Sequence, residues 1–554
     1  MATSCGQTSR APSSFISSEI AISLATFGVV TALVTRAMKR KQRQQATSGS
    51  GQSSQLLLVK PNIASHPYHP PSRQVRYLKE HGGKKWEEYS EELEEFVREC
   101  PKVELHVHLD GSLDPDFLWH CLQQYEDQGQ GWIGCLPVST TLPWDPQHPL
   151  PVRHLVQNCK TVDDFHNLCT CRRGERSLQH MLTCFEIFLP LVRGAPQPAW
   201  LLLEELAYDF CRRQWEQNVV YTEVRYNPHL LMHEDKGTSG SYDMNDKKLS
   251  PQEGDSAMSA EEQRKQSARE VVQAITRGLR RGSADFDIVV NQILCAINWR
   301  PDWAWDVLEL TKEFRHEHPC AVVGIDIAAG EEHFDKTKFP QLYQPHFDMM
   351  QKAQVLGIPV AIHAGETPNG IEHVRQAIAT HHDPVQKGYG AKRIGHGYRM
   401  TESLELMNQL AMKRIHVEIC PTSSVETGGW IFDVPDGGTE GQTNVRKKKP
   451  WNHHPGLEMI QHGIPVSLNS DDPAVFHTSL TWQYRIALVK MRLTPEQLVQ
   501  TNIDAIEASF GRREEKTKAE RILRSFWIRL SDGRRLCSGI DAGQRFTDRV
   551  RDPF

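Results

Sequence analysis

The chain has 554 residues, of which 39% are hydrophobic and 24% are charged, and its formal net charge is -5. This composition is typical of a globular protein with a large core, and it lacks the basic excess of a nucleic-acid-binding protein. We therefore expect no nucleic-acid partner. The 13 cysteines contain no C-x-x-C pair, which predicts free thiols in a reducing compartment and not a disulfide framework.

The first predicted element is an apolar segment at residues 20–35, which is followed directly by a cluster of Lys and Arg at residues 36–43. The segment is somewhat shorter than the ~20 residues of a usual spanning helix, but its composition favours a membrane anchor. Basic residues on this flank favour an orientation in which the rest of the chain faces the cytoplasm. An organelle-targeting peptide and an unstructured tail are the alternatives, and without an anchor we expect a cytoplasmic protein.

Composition divides the chain into four regions, assigned to residues 1–45, 46–95, 96–530 and 531–554. They are the apolar segment with its basic flank, a Ser-, Gln- and Pro-rich linker with a lead-in helix, a large folded region and a C-terminal tail. Within the folded region, residues 127–176 and 234–262 are predicted to be surface insertions. The second insertion is polar enough to be disordered.

In the folded region, short β-branched runs alternate with helical patterns, which predicts a parallel sheet. Several runs end in polar residues, as expected where strands deliver side chains to the mouth of a (β/α)8 TIM-type barrel. A doubly wound open sheet is the alternative, but no glycine-rich phosphate-binding fingerprint follows the first strand. The runs lie at residues 219–225, 287–294, 321–327, 359–363, 415–419 and 464–468.

The strongest chemical signal is a set of histidines and carboxylates at the ends of predicted strands. His106 and His108 share one face of a strand because side chains alternate along it. His363 ends a second apolar strand, and Asp471 and Asp472 follow a third. Three imidazoles and one carboxylate would form a catalytic zinc shell with one position left for water.

Three further motifs accompany this set: Val224-Arg-Tyr-Asn-Pro-His-Leu230, Arg393-Ile-Gly-His-Gly-Tyr398 and Glu418-Ile-Cys-Pro-Thr-Ser-Ser424. With them, the chain resembles the adenosine deaminase family of metal-dependent hydrolases from about residue 101 to residue 510. The resemblance implies a barrel that binds one zinc ion through His106, His108, His363 and Asp471. It also implies a proton donor at Glu366, a water-orienting histidine at His396 and a contact from Asp472 to purine N7.

The chemistry of the residues agrees with these roles. Zinc lowers the pKa of a bound water towards ~7, which provides a nucleophile at neutral pH. His396 can accept the proton of this water or hold the hydroxide by charge. Glu366 must be protonated at some stage to give a proton to ring N1, so we expect burial to raise its pKa. Asp472 would point away from Asp471 on an extended segment, although it could instead cap a following helix.

The resemblance also places substrate contacts. Asp110 lies beside His108 and would accept a hydrogen bond from the ribose 5′-hydroxyl, whereas it would repel a 5′-phosphate. Residues 324–331 resemble the family's Asp-Leu-Ala-Gly run but have an additional alanine, so the N–H for purine N3 belongs to Ala329 or Gly330. The helical stretch 178–189 resembles an apolar lid over the base, and core packing would explain its spacing equally well.

We therefore predict zinc-dependent hydrolytic deamination of adenosine and 2′-deoxyadenosine to inosine and 2′-deoxyinosine, with release of ammonia. The alternatives are a deaminase of AMP or of N6-modified AMP, and a membrane-tethered barrel without turnover.

Overall fold

The computed structural model describes residues 91–537, apart from 128, 130, 143–144, 172–176, 196–198, 234–258, 332–335, 369, 381–387, 435–444 and 449. The apolar segment predicted at residues 20–35, the linker and nearly all of the insertion predicted at residues 234–262 lie outside the described residues. Among the described helices, none combines the length and the apolar character needed to cross a bilayer.

Eight parallel strands form the centre of the fold. They are β1 (Lys102–His108), β2 (Val219–Tyr226), β3 (Val289–Ile297), β4 (Val322–Ala328), β5 (Ala361–Ala364), β6 (Arg393–His396), β7 (His416–Ile419) and β8 (Val466–Leu468). They pair in two sheets, β1-β2-β3-β4 and β8-β7-β6-β5. Parallel bridges join Val107 to Asp471 and Ile325 to Val360, which connects the two sheets at both edges. The predicted TIM-type α/β barrel is confirmed.

The strands form because their side chains can be buried on both faces. Every residue of β2 and β3 is buried, and these strands are rich in Val and Ile, as is usual for parallel strands covered by helices. The strand β6 was missed by the sequence analysis. Its four residues, Arg-Ile-Gly-His, include a single β-branched side chain, so its apolar pattern is too short to recognise.

Helices cover the barrel and extend it at both ends. They are Glu91–Glu99, Pro115–Asp127, Trp132–Cys135, Val152–Asn158, Val162–Cys169, Leu178–Arg193, Ala199–Glu216, Ala260–Phe286, Ala304–Phe314, Pro340–Val355, Ile371–Ile378, Leu404–Lys413, Pro421–Glu426, Pro455–Gln461, Leu480–Val489, Pro495–Ala508 and Arg513–Cys537. Two antiparallel hairpins pair Thr140–Leu142 with Asp145–Leu150 and Ile431–Val434 with Val445–Lys448.

The region predicted as a surface insertion at residues 127–176 also contributes side chains to the hydrophobic core. Its helices place Trp132, Val156 and Phe165 in the main hydrophobic core. The sequence did not predict this because the helices are short and prolines interrupt the segment, so no long periodic pattern marks its core residues. The C-x-C pair of Cys169 and Cys171 consists of buried free thiols, like most described cysteines.

Candidate active site and metal centre

Four side chains meet at the carboxyl-terminal end of the barrel strands. His106 and His108 lie on β1, His363 lies on β5, and Asp471 follows β8. Their ligand atoms all lie within 4.8 Å of one another. Nε2 of His108 is 3.0 Å from Nε2 of His363, and Nε2 of His106 is 3.1 Å from Oδ1 of Asp471. The structure therefore brings together the four residues proposed as metal ligands.

Two buried carboxylates orient this cluster from behind. The Nδ1 of His106 hydrogen bonds with Glu418 Oε2 at 2.8 Å. The Nδ1 of His363 lies 3.0 Å from Asp326 Oδ2. A carboxylate at Nδ1 keeps the proton on that nitrogen and leaves the Nε2 lone pair for a metal ion. Arg225 holds both carboxylates, at 2.6 Å from Asp326 and 2.7 Å from Glu418.

A zinc ion fits the cluster. The Nε2 atoms of His108 and His363, 3.0 Å apart, can either share a proton or direct both lone pairs at one cation. The Nε2 of His106 is also buried without a hydrogen-bond partner among the described residues. Three imidazoles and one carboxylate match the nitrogen and oxygen donors that catalytic zinc prefers. A second group, His396 with Cys420, shares Asp471 with this cluster and is not independent of it.

His396 and Glu366 face the cluster from neighbouring strands. His396 ends β6, and Glu366 follows β5. Nε2 of His396 lies 3.7 Å from Glu366 Oε2 and 3.9 Å from Asp471 Oδ2. Burial lowers the pKa of His396 to about 3, so its imidazole is neutral at physiological pH. The arrangement places a neutral base and a carboxyl group beside the metal position.

The backbone turns sharply at the ends of three strands. Ala329, His396 and Asp471 have φ of 57°, 69° and 63°, in the left-handed region that residues with a side chain rarely adopt. Such strained residues cluster at functional sites. The extended segment assumed for Asp471 and Asp472 was wrong, because the left-handed turn at Asp471 decides where both side chains point.

Asp472 is buried, and its Oδ1 has no hydrogen-bond partner among the described residues. The residues after it form turns, so it does not cap a helix. Its carboxylate lies against Gly111, where an added Cβ would fall 1.7 Å from Asp472 Oδ1. The close contact leaves room for no side chain at position 111.

These groups line a cavity with about 510 Å³ of space between atoms, part of which is open to solvent. Its polar lining includes Asp110, Glu366, Asp471 and Asp472, and its described lining contains no Lys or Arg. Asp110 lies near His108, with 3.8 Å between Oδ1 and Nδ1. Burial raises the pKa of Asp110 to about 7. The apolar lining comes mainly from Leu178, Met181, Leu182, Phe185, Leu230 and Ile297.

The lining of this cavity bears on two questions that the sequence left open. One is which of Ala329 and Gly330 meets purine N3, and the other is whether the helix after residue 177 covers the base or packs in the core. Ala329 lines it, whereas Gly330 does not, and the Ala329 carbonyl accepts a hydrogen bond from Asn298 Nδ2 at 2.8 Å. In the helix Leu178–Arg193, Met181 and Phe185 face the cavity while Phe188 is buried away from it. One helix therefore covers the cavity and also packs in the core.

Four residues at the site were not recognised in the sequence: Arg225, Asp326, Glu331 and Glu418. The sequence contains a signal for them: they are charged residues inside or directly after apolar strands, and a buried charge needs a partner. The sequence does not say which partners they find, since Arg225 contacts residues from β4 and β7.

A closed α/β barrel with a histidine and aspartate cluster at its mouth, beside an acid and a neutral base, defines a metal-dependent hydrolase. The sequence model of the adenosine deaminase family matches residues 157–435 and 440–524. The chain belongs to the adenosine deaminase family. The predictions of an aminohydrolase enzyme and of a zinc cofactor are confirmed at this level.

Relatives agree with this assignment. The chain is 29% identical to the adenosine deaminase of Bos taurus over 416 residues, which is 75% of this chain and 91% of that protein. A zinc-bound amidohydrolase from Burkholderia ambifaria has a TM-score of 0.54 at 18% identity, over 80% of this chain and 95% of that one. The N6-methyl-AMP deaminase of Arabidopsis thaliana has a TM-score of 0.51 at 21% identity, over 78% of this chain and 98% of that one. The two structures share the fold.

Proposed function

We propose that the protein catalyses the zinc-dependent hydrolytic deamination of adenosine and 2′-deoxyadenosine, yielding inosine or 2′-deoxyinosine and ammonia. The observation that carries the proposal is a single cavity that joins the metal cluster to Glu366, His396 and Asp472. The attack of water at C6 of a purine and the protonation of N1 require these groups.

His106, His108, His363 and Asp471 would hold the zinc ion, which when bound lowers the pKa of a water ligand to about 7. The carboxylates behind the histidines keep the rings oriented towards one point. The chain's own residues then supply the proton transfers.

His396 accepts the proton of the attacking water, because its Nε2 faces both Glu366 and Asp471. Glu366 gives a proton to N1 while the water oxygen bonds to C6, which removes the aromaticity of that ring. The C6–N bond then breaks: the amino group takes one proton from His396 and leaves as ammonia, while the C6 hydroxyl returns a proton to Glu366 and becomes the carbonyl of inosine. Glu366 is 5% exposed, so bulk water does not compete with it.

The remaining polar groups orient the nucleoside. Burial, and next the charge of Asp471, raise the pKa of Asp472 well above its usual range, so its protonated Oδ1, which lacks another partner among the described residues, would donate a hydrogen bond to N7. The backbone N–H of Ala329 would meet N3, because Ala329 is the residue of that turn that lines the cavity. Asp110 and His108 would lie at the ribose, with Asp110 accepting from the 5′-hydroxyl.

The charge of the cavity favours a nucleoside over a nucleotide. A phosphate beside Asp110 is repelled by the ionised carboxylate, or it forces this group, whose pKa is about 7, to take up a proton, which yields no attraction. No Lys or Arg of the described lining offsets that repulsion. AMP and N6-methyl-AMP should therefore be poor substrates.

The test is the steady-state kinetics of the full chain with adenosine, 2′-deoxyadenosine, AMP and N6-methyl-AMP, alongside zinc analysis. We expect kcat/KM for adenosine to exceed that for AMP, because the described lining offers no cation to a phosphate. A higher kcat/KM for either nucleotide would refute the substrate assignment. Stoichiometric zinc without loss of adenosine absorbance would instead indicate a barrel without turnover.

We also propose the organisation expected from the sequence: an anchor within residues 1–45, a linker over 46–95, a catalytic region over 96–530 and a tail from 531. Residues 20–35 would attach the enzyme to a membrane with the catalytic region facing the cytoplasm. The full chain and a version without residues 1–45 should then differ in carbonate-resistant membrane pellets. Recovery of both in the supernatant would refute the anchor.

A further inference from the structure

Glu331 contacts the backbone on both sides of the proposed proton donor. It is 2% exposed and follows β4, two residues after Ala329. Its Oε1 accepts the N–H of Gly365, and its Oε2 accepts the N–H of Thr367 at 2.5 Å. Glu366 is the residue between these two hydrogen bonds.

The carboxylate of Glu331 is itself held in place. Nδ1 of His373, on the helix Ile371–Ile378, lies 3.0 Å from Glu331 Oε1. An added Cβ at Gly370 would fall 2.8 Å from the same oxygen, so the chain approaches closely there. Burial raises the pKa of Glu331, but the hydrogen bonds from His373 and Thr367 outweigh burial and leave the pKa below its usual value. Glu331 is therefore ionised, with both oxygens able to accept.

We propose that Glu331 is a positioning residue that ties the turn after β4 to the turn after β5, and so fixes Glu366 relative to the purine. The inference rests on the proposed function, in which Ala329 meets N3 and Glu366 meets N1. A link between the two turns sets the separation of these contacts. The link needs a carboxylate, because the N–H groups of Gly365 and Thr367 both donate and each needs its own acceptor oxygen.

Glu331→Gln tests the proposal with almost no change in shape. The amide would place an N–H group against one of the two backbone N–H groups, so one hydrogen bond is lost and two donors face each other. A displacement of Glu366 by about 1 Å should lower kcat with adenosine by about 10- to 100-fold. We expect KM to change less than about threefold and zinc content to stay at the wild-type value, because no metal ligand moves.

A double-mutant cycle separates positioning from a general structural defect. If Glu331 acts through Glu366, adding Glu331→Gln to Glu366→Gln should lower the residual rate by less than about twofold. His373→Gln leaves both backbone hydrogen bonds of Glu331 in place and should give a smaller fall in kcat. It is the variant to measure if Glu331→Gln does not fold.

Glu515→Gln is the matched control. Glu515 accepts the N–H of Arg512 and the amide of Asn291, remote from the site. Its variant should keep the wild-type kcat.

Three results would overturn the inference: wild-type kcat in Glu331→Gln, loss of zinc from that variant, or a full additional loss in the double variant. A wild-type chain that does not deaminate adenosine would refute the proposed function instead. The two failures are thus distinguishable.

Discussion

Gly111→Ala is expected to disable Asp472 without touching the metal ligands. Gly111 lies in a short 3-10 turn (Asp110–Ser112) without a left-handed φ, so alanine fits the backbone there. Its Cβ, however, would lie 1.7 Å from Asp472 Oδ1, 2.5 Å from Cγ and 2.7 Å from Cβ. The carboxyl group must therefore move by more than about 1 Å to reach a normal van der Waals distance.

The size of the effect follows from the hydrogen bond that is lost. Moving the carboxyl group leaves the buried N7 acceptor unsatisfied, which costs about 1–3 kcal/mol and corresponds to about a 5- to 150-fold fall in kcat/KM for adenosine. Zinc content should be unchanged. Kinetics, metal analysis and thermal unfolding of Gly111→Ala should be compared with Gly134→Ala, whose Cβ would meet nothing within 4 Å.

A background without the carboxyl group makes the test specific. In Asp472→Gly, which removes the Cβ as well as the carboxyl group, the added methyl group of Gly111→Ala meets neither, so it should cost little further activity. Wild-type kcat/KM in Gly111→Ala would show that Asp472 does not contact the substrate from this position. An equal loss in both backgrounds would show that Gly111 acts through the backbone.

Other variants and conditions test the remaining steps. Glu366→Gln should keep its zinc and lose about 10²- to 10⁴-fold in kcat, since an amide cannot donate the N1 proton; loss of zinc would make it a ligand instead. Chelation should abolish activity and lower Tm, and added zinc should restore both; activity that persists without metal would contradict the assignment. Arg225→Lys cannot hold Asp326 and Glu418 together, so its zinc affinity should fall by about 10- to 100-fold, and an unchanged affinity would argue against their orienting role. Burial lowers the pKa of His346 to about 4, below the value of about 6.5 in the unfolded chain. The unfolded chain therefore binds the extra proton, and up to about 3 kcal/mol of stability is lost as pH falls from about 6.5 to 4. Unfolding free energies of His346→Gln should be less sensitive to pH in this range, and parallel curves would refute that reasoning.

The sequence by itself determined the barrel and the principal chemistry. Side chains alternate along a strand, and parallel strands share one carboxyl-terminal edge, so the three histidines and the pair Asp471 and Asp472 could be placed together from local patterns, and the family resemblance chose Asp471 as the ligand. These rules concern short segments and need no knowledge of distant contacts. Such local rules fail at the short strand Arg393–His396 and at the short, proline-interrupted helices of residues 127–176, because neither shows a pattern long enough to recognise.

Tertiary structure alone decided how the site is supported. Arg225 meets Asp326 and Glu418 across the barrel, and Glu331 reaches the turn that carries Glu366. The contact of Gly111 with Asp472 joins residues from the two ends of the barrel sequence. No period or spacing encodes these pairs, because they form only when turns from different strands pack against one another. Their geometry depends on the left-handed backbone of Ala329, His396 and Asp471, which the surrounding packing imposes against the local preference of those residues.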